Sequence, residues 1–216
     1  MDTAQARANM VKSQVLPNNV QNEALLAAMN SVARENFAPE KFAAAAYSDM
    51  AIPLDDQGRR MLSPLQAAWL IQSLDIQPGA KALVVGAGLG YEAALLATMG
   101  AKVYAVESDA ALAELGKAAT AGLDVQWRVG ELAEGWKDPA PYDAILFCGA
   151  ADKTPSQPVG QLTDDGRLSI IHGVAGEPVM AGVKIVGFGG ADHAETLFET
   201  VATPLPGLAG GSGFTL

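Results

Sequence analysis

The stretch Val84-Val85-Gly86-Ala87-Gly88-Leu89-Gly90-Tyr91 decides how this chain is read. It lies between an apolar run, Ala82 to Val85, and a helical stretch, Glu92 to Met99. Glycines at alternate positions let a backbone turn tightly after a strand and approach a ligand closely. The following helix offers that ligand free N–H groups and the positive end of its dipole. The spacing then selects among cofactors. A dinucleotide fingerprint wants its third glycine three positions after the second, where this chain has Tyr91. No Lys-Ser or Lys-Thr follows, which excludes a P-loop. The Gly-x-Gly-x-Gly pattern favours S-adenosylmethionine, with Gly86, Ala87, Gly88, Leu89 and Gly90 as the binding loop.

Glu107 supports this reading. It ends the next apolar run, 21 positions after Gly86, and Ser108 follows it. A carboxylate at that place can accept both ribose hydroxyls of an adenosine cofactor. The plainer reading is a glycine turn and a surface glutamate in an unrelated α/β protein.

Working outward, short apolar runs alternate with helical stretches. Ala82 to Val85, Val103 to Val106, Val125 to Val129 and Ala144 to Phe147 read as buried strands, with Glu92 to Met99 and Ala110 to Ala121 as helices. Such alternation implies right-handed βαβ units and a mainly parallel sheet. Leu168 to Ile171 reads as a fifth strand. Val183 to Phe188 and Thr196 to Val201, separated by Gly189 to His193, suit an antiparallel hairpin at one end of the sheet.

The first third reads helical. Asp2 or Thr3 caps a helix to about Val15, and Val20 to Val32 recurs at helical spacing. Phe42 to Ala46 is a short helix or turn, and Ala51 to Leu62 reads as irregular. Ser63-Pro64 looks like an N-cap and a first-turn proline opening a helix to Ser73. The expected fold class is α/β, a Rossmann-like methyltransferase fold with a mainly parallel seven-stranded sheet. Residues 1–208 form one domain: an N-terminal helical part over 1–75 and a cofactor-binding sheet over 80–203. Pro204 to Leu216, rich in Gly and Pro, reads as mobile, with 209–216 as a flexible tail.

Composition narrows the function. The chain has 216 residues, half of them apolar, enough for a core without disulfides or metals. One cysteine, Cys148, and two separated histidines, His172 and His193, make no metal set. The single cysteine fits a reducing cytoplasm. No signal peptide is read at the N-terminus, and no apolar run approaches the ~20 residues of a membrane span. The net charge is −10, with 14 Lys and Arg and no basic cluster beyond Arg59-Arg60. A nucleic-acid substrate would call for a basic face, so nucleic acid is not expected as a partner.

Several separated motifs together resemble the protein-L-isoaspartate O-methyltransferase family: Met10-Val11-x-x-Gln14, Ala28-Met29-x-x-Val32-x-Arg34-Glu35-x-Phe37-x-Pro39, Ala46-Tyr47-Ser48-Asp49, Pro53-Leu54, Gly86 to Tyr91, Gly135-Trp136, Pro141 to Ile145, and Gln161-Leu162 with Gly166-Arg167-Leu168. The resemblance covers nearly the whole chain to about Leu208. It implies S-adenosylmethionine as cofactor and methyl transfer to isoaspartyl carboxylates of damaged proteins. The methyl ester then closes to a succinimide, which partly reopens as aspartate.

The chain also departs from that family. The substrate loop normally reads Gly-Gln-Thr-Ile-Ser-Gln-Pro and here reads Gly58-Arg59-Arg60-Met61-Leu62-Ser63-Pro64. The family's loop serine falls on Leu62, and Ser63, one position later, either substitutes for it or caps the helix. Arg60 is the candidate for an acidic group on the substrate, with Arg59 solvated; the alternative is that both arginines pair with Asp55 or Asp56. Val84 stands where the family carries an acid near the methionine end of the cofactor. Gly130-Glu131-Leu132 replaces Gly-Asp-Gly; Glu131 can accept from the adenine amino group and Leu132 can wall the ring. His172 could edge the pocket or be structural, and Cys148, Trp69, Trp127 and Trp136 read as packing or pocket-lining residues. Two alternatives stay open: a methyltransferase for another carboxylate or peptidic acceptor, and a non-catalytic cofactor-binding or interaction module.

Overall fold

The computed structural model describes residues 2–174, 177–187 and 194–209. Asp2 starts the first helix, its carboxylate accepting from the N–H groups of Ala4 and Gln5, 3.1 and 3.2 Å away. Helix α1 (Thr3–Met10) continues through a π-helical turn, Val11–Val15, and a 3₁₀ turn, Leu16–Asn18. It stops where Asn19 takes a left-handed conformation, φ 60°. Helix α2 (Glu23–Ser31) begins later than the Val20 pattern suggests, because Asn22 caps it by accepting from Leu25 N–H. Two 3₁₀ turns follow, Arg34–Phe37 and Glu40–Ala45.

The Ala51 to Leu62 region is more ordered than its composition suggests. It holds a short antiparallel pair, β1 (Ile52–Pro53) with β2 (Arg60–Met61). Arg34, fully buried, donates to the carbonyls of Ala46 and Leu62 at 2.8 and 2.5 Å and so ties this hairpin to the N-terminal helices. Helix α3 (Pro64–Ser73) opens as expected: Ser63 Oγ accepts from Gln66 N–H, and Gln66 Oε1 accepts from Ser63 N–H. Such a reciprocal pair satisfies two N–H groups that a helix start leaves open.

The strands are β3 (Lys81–Val85), β4 (Lys102–Glu107), β5 (Val125–Val129), β6 (Tyr142–Ala151), β7 (Leu162–His172), β8 (Met180–Val186) and β9 (Glu195–Thr200). They form one sheet in the order β5-β4-β3-β6-β7-β8-β9. The first five are parallel, and at one edge β8 runs antiparallel to both its neighbours, β7 and β9, as the hairpin reading required. Helices α4 (Tyr91–Thr98), α5 (Ala110–Ala119) and the single-turn α6 (Ser156–Val159) connect the parallel strands.

Alternate residues of the central strands feed two cores. Ala82, Val84, Leu146 and Cys148 join the helical side, packed with residues of α1 to α5. Leu83, Val85, Ile145 and Phe147 join the other. Burial on both faces is why these runs are continuously apolar. The second face carries a thin layer: Leu132, Trp136, Val159 and the segment at Leu205 and Leu208. Here the reading of Pro204 to Leu216 as mobile is corrected for its first part. Pro204 bridges Ala150, Leu205 N–H donates to Ala150 C=O at 2.8 Å, and Leu205 and Leu208 are buried. Two large apolar side chains outweigh the flexible composition around them; residues 210–216 lie outside the described residues. None of the described helices is long and apolar enough to cross a membrane.

Leu205 is wholly buried, so Leu205→Ala should lower stability by roughly 2–5 kcal/mol. Urea denaturation followed by circular dichroism measures this; a loss under about 0.5 kcal/mol would return the segment to the class of exposed loops.

Candidate cofactor pocket

Strand order reverses at β3. The chain runs from β3 to β4 and β5 on one side, then to β6 and β7 on the other. Such a reversal leaves a crevice outside the carboxyl ends of the two central strands. The glycine loop leaves β3 at this crevice, and Gly149 to Ala151 end β6 there.

The loop needs its glycines. Gly86, Gly88 and Gly90 have φ of 71°, 56° and 90°, a region that strains other residues. Gly86 and Ala87 N–H donate to Val106 C=O, which pins the loop to β4, and Gly90 starts α4. The loop also needs its lack of side chains, but protein atoms occupy the space above it. A Cβ at Gly86 would lie 2.6 Å from Leu205 Cδ2, one at Gly88 2.6 Å from Leu54 Cδ1, and one at Gly149 2.8 Å from Leu205. The space left at the loop is about 10 Å³, bounded by Leu54, Arg60, Met61, Gly86 to Gly90, Tyr91, Glu92 and Cys148. A single water needs about that much.

Glu107 ends β4 with no solvent exposure. Its Oε1 accepts from Ser108 N–H and Oγ–H and from Asp109 N–H, at 2.7, 3.1 and 3.2 Å. Its Oε2 accepts from Gly88 N–H and from the Arg59 guanidinium, both at 2.7 Å. The expectation that Arg59 is solvated is therefore wrong. Arg59 is 6% exposed, and the same Nη2 also donates to Gly86 C=O at 3.0 Å. The hairpin explains the swap. In the β1–β2 pair Arg60 faces Pro53 across the strands, and its Nη1 reaches only the Ala51 carbonyl at 3.3 Å. Arg59 sits just before β2, where its backbone N–H is held by Asp55 Oδ1 at 2.9 Å and its side chain points into the crevice. Neither guanidinium pairs with Asp55 or Asp56.

The other candidate residues distribute as follows. Ser63 is buried and engaged in the α3 cap, 3.3 Å from Gln66 N. Ser108 lies beside Glu107 as expected. Gly130 follows β5, Glu131 is exposed at the start of a 3₁₀ turn (Leu132–Glu134), and Leu132 is buried in the second core. A more open cleft of about 560 Å³ adjoins that turn, lined by Ala133, Asp152, Thr154, Ser156, Gly207 and Leu208 among others. His172 ends β7, and its Nε2 is 2.5 Å from Thr154 Oγ1. Burial lowers the pKa of this imidazole, which suits a neutral structural partner. Trp127 packs against Gly90 and Gly116 behind the loop, and its indole N–H donates to Thr120 Oγ1 at 2.9 Å. His193 lies outside the described residues.

Four residues at the crevice were missed from the sequence: Leu54, Arg59, Glu92 and Leu205. Leu54 and Leu205 carry no local pattern that marks a pocket. Arg59 was visible only as half of an arginine pair. Glu92 stands directly after the glycine motif, and that place at a helix start is the signal for it.

In kind, these residues fit S-adenosylmethionine. The loop backbone lies open to close approach, a buried carboxylate stands at the end of β4, and Glu131 and Leu132 flank the next strand end. Arg59, Leu54 and Leu205 lie against the loop and Glu107, and a cofactor seated there would have to displace them.

Comparison with known proteins agrees with this frame. The family model for Protein-L-isoaspartate(D-aspartate) O-methyltransferase (PCMT) matches residues 6–183. A protein-L-isoaspartate O-methyltransferase of Methylorubrum populi is 45% identical over 81% of this chain and 82% of its own. One from Gloeobacter violaceus is 37% identical over 78% and 83%. Among solved structures, a protein-L-isoaspartate O-methyltransferase superposes with TM-score 0.77 at 19% identity, covering 95% of this chain and 66% of that one. A Plasmodium falciparum beta-aspartate methyltransferase (PCMT) in complex with S-adenosyl-L-homocysteine gives 0.76 at 17% identity, over 95% and 98%. At these identities the structural matches establish the fold.

Breaking a charge-assisted hydrogen bond costs about 1.5–3 kcal/mol, and each 1.4 kcal/mol is ten-fold in affinity. Arg59→Ala should therefore bind S-adenosylhomocysteine on the order of ten-fold more tightly than the unaltered chain by calorimetry, while its cofactor-free thermal stability falls. Unchanged or weaker binding would show that Arg59 does not oppose the cofactor.

Proposed function

The chain belongs to the Protein-L-isoaspartate(D-aspartate) O-methyltransferase family, and we propose that it methylates isoaspartyl carboxylates of damaged proteins from S-adenosylmethionine. The observation that carries this reading is the glycine loop joined to the buried Glu107 at the crevice between β3 and β6. When bound, the cofactor supplies a methyl group on a sulfonium, whose displacement leaves a neutral thioether. An ionised carboxylate is already a nucleophile, so the site needs no acid or base to activate it. What the protein contributes is position and dryness. Glu107, released from Arg59, is the acceptor for the ribose hydroxyls, with Ser108 holding its other oxygen. Glu131 is the acceptor for the adenine amino group, with Leu132 and the loop after β5 beside it. Met61, from the substrate hairpin, keeps water from the reacting atoms.

Arg60 is the residue we assign to the substrate. It is exposed on β2 beside the crevice, and its guanidinium makes only one long contact, to Ala51. A planar guanidinium suits bidentate capture of a carboxylate. Ser63 acts through the helix cap; the cap bond to Gln66 supports a positioning role. We place the enzyme in the cytoplasm, a reading supported by its single cysteine. The net charge of −10 argues against a nucleic-acid acceptor.

A second reading draws on the filled crevice. A pocket in which an arginine satisfies the ribose carboxylate also suits a fold kept for interaction, or a methyltransferase for a different carboxylate acceptor. Radiolabelled methyl transfer to an isoaspartyl peptide, against the matching aspartyl peptide, separates these. The expected outcome is transfer to the isoaspartyl peptide alone. Glu107→Ala should abolish transfer and cofactor binding together, and Arg60→Ala should raise KM for the peptide about ten-fold with kcat little changed. Cofactor binding without transfer would favour another acceptor, and no binding at millimolar cofactor would favour the interaction module.

A further inference from the structure

Glu92 is the second residue of α4, two positions after the last loop glycine. It is 2% exposed, and its Oε1 has no hydrogen-bond partner. This is unlike Glu107, whose two oxygens accept five N–H or O–H groups. The Glu92 side chain bounds the same small space as Gly86 to Gly90, together with Met61 and Cys148. The Cys148 thiol lines that space beside it. Burial pushes the Glu92 carboxyl up, and the Arg34 and Arg59 guanidiniums pull it back. Arg59 in turn has its Nε buried and unpartnered. The small space at the loop is therefore bordered by an acceptor with no partner, and the Arg59 Nε is a second buried group left without one.

An unpaired carboxylate oxygen in a dry site costs stability. It is kept where a ligand supplies the missing donor. Two groups on S-adenosylmethionine are positive, the sulfonium and the α-ammonium, and only the ammonium has hydrogens to donate. Val84, the strand residue two positions before the first loop glycine, is apolar and wholly buried and offers nothing to a cation. We propose that Glu92 binds the α-ammonium of the cofactor's amino-acid end, opposite the ribose end held by Glu107. This assignment rests on the methyltransferase reading above and adds a residue to it. Glu92 and Glu107 then grip the two ends of one ligand across the glycine loop, and Arg59 is the internal cation displaced when it enters.

The test uses two ligands that differ only at the end in question. S-adenosylhomocysteine carries the amino acid, and 5′-methylthioadenosine lacks it. Calorimetry on the full chain should show Glu92→Gln weakening S-adenosylhomocysteine at least ten-fold while leaving methylthioadenosine within two-fold. The near-isosteric change preserves shape and removes the charge. S-adenosylhomocysteine binding as tight in the variant as in the unaltered chain would overturn the assignment. So would equal loss of both ligands, the mark of a general structural role. Should the variant not fold, the unaltered chain decides alone: N-acetylation of S-adenosylhomocysteine removes the ammonium and should cost at least ten-fold, and equal affinity overturns the proposal. An unaltered chain that binds neither parent ligand at millimolar concentration removes the methyltransferase reading and this assignment with it, whereas methylthioadenosine bound normally with no Glu92 effect removes this assignment alone.

Discussion

A carboxylate with no exposure to water has to find its compensation inside the protein, and Glu107 organises the crevice by doing so. Isolated in a low-dielectric interior, such a charge is expensive. Its five donors come from three separate parts of the chain: the glycine loop, the turn after β4, and the β1–β2 hairpin. Each is held in place by the contact. The loop's Gly88 N–H points at Glu107 because the backbone there is left-handed. Asp109 lends its N–H to Glu107 while its side chain caps α5. The hairpin is drawn over the crevice because it delivers the only guanidinium among the described residues that pairs with this carboxylate.

The ion pair satisfies Glu107 without a ligand. Arg59 supplies charge, Leu54 and Leu205 supply volume, and together they occupy what an adenosine ligand would otherwise fill. On the function proposed above, entry of the cofactor would be an exchange, in which its hydroxyls replace one guanidinium and its apolar surfaces replace two leucines. An exchange of this kind sets the apparent affinity by the difference between the ligand-free and ligand-filled states. It also gives the altered 58–64 loop a physical role: an uncharged side chain at position 59 could close the space but could not answer the charge on Glu107.

Much of this fold could be read locally. The glycine motif, the apolar strands and the Ser63-Pro64 helix start depend on residues a few positions apart, and the structure keeps them nearly where the pattern puts them. The N-terminal boundary of α2 moved because one capping residue, Asn22, outweighed the apolar periodicity from Val20. What could not be read were the pairings set by tertiary geometry. Nothing near Arg59 tells it apart from Arg60; a two-residue hairpin 48 positions from Glu107 does so, by turning one inward and the other out. Leu205 is hidden for a related reason. Its surroundings are rich in glycine and proline, and its burial depends on a strand end more than fifty positions earlier, at Ala150. Glu92 was legible in place but not in meaning, because only burial reveals that one of its oxygens has no partner.

The thin layer over the second face has a consequence for how the molecule is made. Leu205 seals a crevice whose other walls are complete by about Ala151, and it meets Gly86 across well over a hundred positions of chain. Contacts between such distant segments form late, since the intervening loop must close first. On a ribosome, β3, β4 and the glycine loop emerge and can pair long before residue 205 is synthesised. Through that interval the nascent protein carries an uncovered apolar slot at the ends of its central strands. A small ligand present during synthesis would meet the crevice at its most open, before the leucine arrives to compete for it.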